Sequence, residues 1–203
     1  MDRRERFLSA AEPEKLGDVL SAQQKDGSDP RHVAILRLLL LTGARKNEIA
    51  RLRWSEVDLD KGLLRLKDSK TGPKVIRLGA AAASLLARLP RAHATWVFPD
   101  RRHAARPTSN LDWAWVWIRT KAELPDVRTH DLRHSFASMG VAGGEGLVLI
   151  GKLLGHEHVV TTNRYTHLSD DPLQAAADRI SSPVAEAIGL ASSDSPVPEA
   201  CDA

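Results

Sequence analysis

The sequence predicts a mixed, mainly helical domain carrying a small three-stranded antiparallel sheet. Three observations lead there. Apolar residues recur at helical spacing in several separate segments. One window, Trp54 to Leu78, switches to short extended runs between tight turns. No internal repeat or domain-sized linker divides the 203 residues, so they form one domain with tails.

The elements follow in order. A charged leader precedes a short helix, roughly Glu12 to Gln24, and Gly27-Ser28-Asp29-Pro30 is a turn. The segment HVAILRLLLLTG, from Arg31 on, is apolar nearly all round, which places it in the centre of the core, and Gly43 ends it. A short helix restarts over Ala44 to Leu52. Val57 to Asp60, Leu63 to Leu66 and Val75 to Leu78 make the sheet, with Lys70 near a hairpin tip. Ala80 to Leu89 is a helix stopped by Pro90. Trp96 to Pro99 is extended, and Asp100 to Pro107 is a loop holding Arg101, Arg102 and Arg106. Ser109 is expected to cap the next helix with Asp112 reaching back, and Trp113 and Trp117, four apart, are expected to pack. Thr129 caps a helix over His130 to Met139, and Gly140 to Gly146 is loop. Leu147 to Leu154 is a helix with Gly155 as its C-cap. Val159 to His167 and Pro172 to Leu190 are the last two helices, and residues 191–203 read as a disordered tail.

Composition narrows the function. The hydrophobic share of 42% supports a sizeable core. No apolar run approaches the roughly eighteen residues a membrane span needs, and the charged N-terminus has no apolar signal core. A cytoplasmic protein without a membrane partner is expected. The one cysteine, Cys201, has no internal disulfide partner. Net charge is +3, and the last thirteen residues hold three acids and no base, so residues 1–190 carry +6. That surplus suits a nucleic-acid partner.

The stretch from Thr129 to Leu168 concentrates the chemistry. It holds five of the eight histidines and Tyr165, the single tyrosine. His130 and Arg133 share a helix face near a helix start, where an anion is favoured. Arg45 lies at a break between two helices, with Glu48 one turn on to hold its guanidinium. Metal ligation by His156 with His158, His130 or His134 lacks the ligand spacing of a zinc site, so no metal or other cofactor is expected. Glu56, Asp58 and Asp60 read as a solvated face rather than a metal-binding one. Taken together, two arginines, two histidines, a lysine and a tyrosine suit phosphoryl transfer from DNA. Arginine forks match a phosphate bidentately. Forming a tyrosine anion near neutral pH costs about 4 kcal/mol, which a cationic site lowers. A mobile lysine can protonate the leaving alkoxide. A covalent phosphotyrosine conserves the bond for rejoining.

The stretches LLLLTGARKNEIARLRWSEVDL, DSKTGPKVIRL, THDLRHSFAS, LLGH and TTNRYTHL come in an order and spacing that resemble the catalytic domain of tyrosine recombinases, the phage-integrase family. The resemblance covers roughly residues 7–190. It implies site-specific DNA recombination, in integration or excision of a mobile element, by metal-independent cleavage and rejoining. It implies that Arg45 and Arg133 clamp the phosphate, that Lys70 protonates the leaving 5′ oxygen, and that His130 and His156 contact the phosphate. Tyr165 is the implied nucleophile of a 3′-phosphotyrosine, and Glu48 a structural support. Double-stranded DNA is the implied partner, bound by a tetramer on synapsed sites and a monomer otherwise. The final helix then docks either on its own core or on a neighbouring subunit. Family members usually carry an N-terminal helical domain that this sequence does not show, so residues 1–6 read as a linker remnant and DNA binding is expected to be weak and salt-dependent. A type IB topoisomerase would share the chemistry. Two non-catalytic alternatives stay open: a silent recombinase remnant, and a regulator using Leu147 to His167 as a helix-turn-helix.

Overall fold

The structure, a computed structural model, describes residues 6–9, 11–25, 29–67, 69, 72–155 and 170–190. Helix α2 (Pro30–Thr42) is the axis of the fold. Its start is set locally: Asp29 accepts a hydrogen bond from the Arg31 amide at 3.1 Å, and Pro30 occupies the first turn. Its end is set by Gly43, which turns left-handed at φ 61° and donates to the Leu39 carbonyl at 3.0 Å. Every residue from Val33 to Thr42 is buried, as the all-round apolar pattern predicts.

Around α2 pack α1 (Glu12–Lys25), α3 (Lys46–Ala50), α4 (Ala80–Ala87), α6 (Asp131–Ala142) and α8 (Asp170–Ala187). The sheet is β1 (Val57–Asp58), β2 (Leu63–Leu66) and β3 (Lys74–Arg77), antiparallel in that order. Its register pairs Leu64 with Ile76, both buried, and Leu66 with Lys74. Helices α5 (Leu111–Lys121) and α7 (Leu147–Leu154) complete the described α-helices. A second, smaller cluster joins Phe136, Ile150, Leu153 and Leu154 to Ala176, Ala177 and Ile180, so α8 packs on its own chain. Among the described residues no helix is long and apolar enough to cross a membrane.

Four local expectations are corrected. In α5 the buried face is Leu111, Ala114, Trp115 and Ile118, at helical spacing, while Trp113 is 75% exposed and Trp117 36%. The packed tryptophan is Trp115, whose Nε1 donates to the Val127 carbonyl at 3.0 Å. Ser109 does not cap α5, and Asp112 does not reach back: its carboxylate takes Lys46 Nζ at 2.8 Å, a full charge instead of an amide dipole. Thr129 does not cap α6 either. The helix begins at Asp131, whose buried carboxylate accepts from the Arg128 amide at 2.8 Å, and it continues through Gly140 to Ala142. Glu56 is buried rather than solvated, accepting from the Arg53 amide at 3.0 Å and the Lys67 amide at 3.1 Å. The helix expected over Val159 to His167 and the tail over 191–203 lie outside the described residues.

Candidate active site

The α2–α3 break builds one wall of the site. The close approach at Gly43 leaves no room for a side chain: a Cβ there would sit 2.6 Å from Leu154 Cδ2 and 2.7 Å from Phe136 Cδ1. The chain therefore turns tightly and delivers Arg45 at the start of α3. Glu48, three residues on, accepts from the Arg45 amide at 2.8 Å and pairs with its guanidinium at 3.0 Å. Glu48 thus engages both the backbone and the guanidinium of Arg45.

Glu48 has a second partner that sequence reasoning missed. Lys74 Nζ lies 3.0 and 3.2 Å from its two carboxylate oxygens, with the lysine side chain 7% exposed and the glutamate 5%. Burial alone pushes the Glu48 carboxyl up, but the Arg45 amide and the Lys74 and Arg45 cations hold it below the usual range. Burial lowers the Lys74 ammonium, partly offset by Glu48. The lysine stem also fills the space over Gly155, which is left-handed at φ 66°; a Cβ there would meet Lys74 Cε at 2.6 Å. A lysine at the start of a strand reads as solvated, so no local signal marked it.

The opposite wall is α6. Arg133 is buried, 5% exposed, and donates to the carbonyls of Gly43 and Leu154, each at 2.7 Å. Those two bonds fix the plane of the guanidinium fork. Burial and the Arg45 charge pull its pKa down to about 10, with Glu48 opposing them. His130, one turn earlier, is exposed and stacks edge-on with His134 at 4.9 Å between ring centroids. Burial first, then His134 and Arg133, lower its pKa from 6.5.

Arg45, Glu48 and His130 line one cleft of about 890 Å³, together with Lys46, Arg51, Arg53, Lys67 and Arg128. Arg133 lies within electrostatic reach of both Arg45 and His130. Its acids, Glu48 and Glu56, are buried and engaged, so the wall that faces solvent is basic. Such a concave surface suits a polyanion. Lys70, His156 and Tyr165 lie outside the described residues; Ser69, beside Lys70 in sequence, lines the same cleft.

Residues 6–171 match the model of the phage integrase family, and the chain belongs to that family. Tyrosine recombinase XerC of Xanthomonas axonopodis pv. citri is 32% identical over 158 residues, 73% of this chain and 50% of that protein. Tyrosine recombinase XerA of Saccharolobus solfataricus is 31% identical over 144 residues, 69% of this chain and 47% of that protein. The chain thus spans about half the length of these curated relatives. Among solved structures, that of XerA recombinase superposes with a TM-score of 0.62 at 28% identity, covering 86% of this chain and 63% of that one. The integrase of mycobacterium phage Brujita superposes at 0.66 with 17% identity over 94% of this chain and 66% of that one, a likeness of fold alone.

Proposed function

We propose that this chain is the catalytic domain of a site-specific recombinase that cuts and rejoins duplex DNA through a 3′-phosphotyrosine at Tyr165. The observation that carries the reading is the convergence of Arg45 and His130 on one basic cleft, with buried Arg133 in electrostatic reach of both, in a chain of the phage integrase family. Arg45 and Arg133 take the nonbridging oxygens of the scissile phosphate, where charge builds as phosphorus becomes crowded. The Tyr165 oxygen attacks phosphorus and the bond to the 5′ oxygen breaks. His130, held neutral by its depressed pKa, takes the phenol proton, and Lys70 gives a proton to the departing oxygen. His156 is a further phosphate contact. The reverse reaction, with a 5′ hydroxyl as nucleophile, reseals the strand and regenerates the tyrosine. No cofactor or metal enters these steps.

The same reading assigns residues 7–190 to one catalytic domain, double-stranded DNA as the partner, a tetramer on synapsed sites, and integration or excision of a mobile element in the cytoplasm as the task. XerH, a recombinase of the same fold at 23% identity, is seen bound to its difH substrate, which supports DNA as the ligand of the cleft.

The test is a nicked suicide DNA bearing the element's own junction, incubated with the protein and chelator and run on a denaturing gel. A covalent protein–DNA adduct is expected, and Tyr165→Phe should abolish it. DNA binding without an adduct in the wild type would favour a silent remnant or a regulator. Loss of cutting on chelation would overturn the metal-independent mechanism.

A further inference from the structure

A second cleft, of about 730 Å³, opens between the C-terminal parts of α1, α4 and α8. Arg37 of α2 lines it, and only 5% of that residue is exposed. Its Nη1 donates to Gln24 Oε1 at 2.6 Å and its Nη2 to Ser21 Oγ at 3.1 Å, both neutral acceptors. Its Nε is buried with no partner. Among the described residues no carboxylate offsets the charge; the one charged neighbour that bears on it is Arg88, of like sign and also lining the cleft.

This arrangement is costly as it stands. A guanidinium removed from water needs an anion, and a second cation nearby raises the cost. Elsewhere in the fold the buried Lys74 ammonium is paired with Glu48. We propose that the Arg37–Arg88 cleft is an anion-binding site that takes one compact oxyanion, a phosphate or a carboxylate. Arg37 lines the cleft with N–H groups beyond the two that Gln24 and Ser21 accept, and exposed Arg88 lines it too. The site is separate from the catalytic cleft and does not rest on the recombinase reading.

Two sources share this chemistry. One is a diffusible phosphate. The other is the chain itself, which runs on from Leu190 at the rim of the cleft into residues 191–203, whose sequence holds Asp194, Glu199 and Asp202 and no base. The sources separate in one experiment. Inorganic phosphate is titrated into the full-length chain by calorimetry at constant ionic strength. All proteins carry Arg45→Ala, which removes a phosphate ligand from the catalytic cleft. Uptake of one phosphate, weakened about tenfold or more by Arg37→Met and by Arg88→Ala, is the expected result. Arg88 is exposed, so its replacement keeps the test valid even where Arg37→Met fails to fold. Uptake that appears only after Asp194→Asn, Glu199→Gln and Asp202→Asn identifies the chain's own carboxylate as the occupant. Absence of uptake in both backgrounds, or uptake in both that Arg88→Ala leaves unchanged, overturns the proposal.

Discussion

Glu48 and Lys74 meet at 3.0 Å with almost no solvent between them, 26 residues apart in sequence. Because Glu48 also holds Arg45, one carboxylate ties that arginine to the β2–β3 hairpin. Replacing Glu48 with Gln leaves a buried ammonium unpaired. The expected loss is about 3 kcal/mol of stability, read by urea unfolding.

The same pair sets an acid limb of stability. The folded Glu48 carboxyl lies below its ordinary 4.5, so its contribution is present above that value and lost as pH falls through the folded pKa. In Glu48→Gln the acid limb should flatten. An unchanged slope below pH 4.5 would show that other carboxylates carry it.

His130 is expected to titrate below 6.5 in the free protein, because burial, His134 and Arg133 all disfavour its cation. Adduct formation should therefore hold steady down to that value and decline as pH falls further. Proton NMR of the imidazole checks the pKa directly. His134→Asn should raise it by removing a neighbouring charge, and a downward move would contradict the electrostatic account.

Arg45→Ala should reduce adduct formation by about 100-fold or more, as expected for loss of one transition-state donor. Its side chain is partly solvated and its amide bond to Glu48 survives the change, so the thermal midpoint should stay close to that of the wild type. A variant that loses the adduct only because it unfolds would contradict this.

Gly155→Ala should cost about 1–2 kcal/mol for the left-handed backbone alone. It also drives a methyl into the Lys74 stem, so its effect should be strongly non-additive with Lys74→Ala. A double-mutant cycle measures that coupling.

The tryptophans of α5 separate packing from exposure. Trp113→Ser should change stability by no more than about 0.5 kcal/mol, whereas Trp115→Ala should cost about 3 kcal/mol or more. Chemical denaturation of the two variants distinguishes them.

What the sequence by itself determined is everything encoded within a few residues. The left-handed stops at Gly43 and Gly155, the all-round apolar α2 and the three-stranded sheet were legible because capping and periodicity are local. Arg45 with Glu48 was legible for the same reason, at a spacing of one turn. The tertiary structure decided the rest. Arg133 reaches back 90 residues to the Gly43 carbonyl, and Lys74 reaches from β3 to Glu48 on α3. Trp115, rather than Trp113 and Trp117, became the packed residue because helix rotation is set by the neighbours α5 packs against. Arg37 sits in an apolar helix where sequence shows one more residue of the core, and only the packing of α1, α4 and α8 leaves its charge without a counter-ion among the described residues. Long-range pairing and charge burial depend on which surfaces meet, and that information does not reside in any one stretch of the chain.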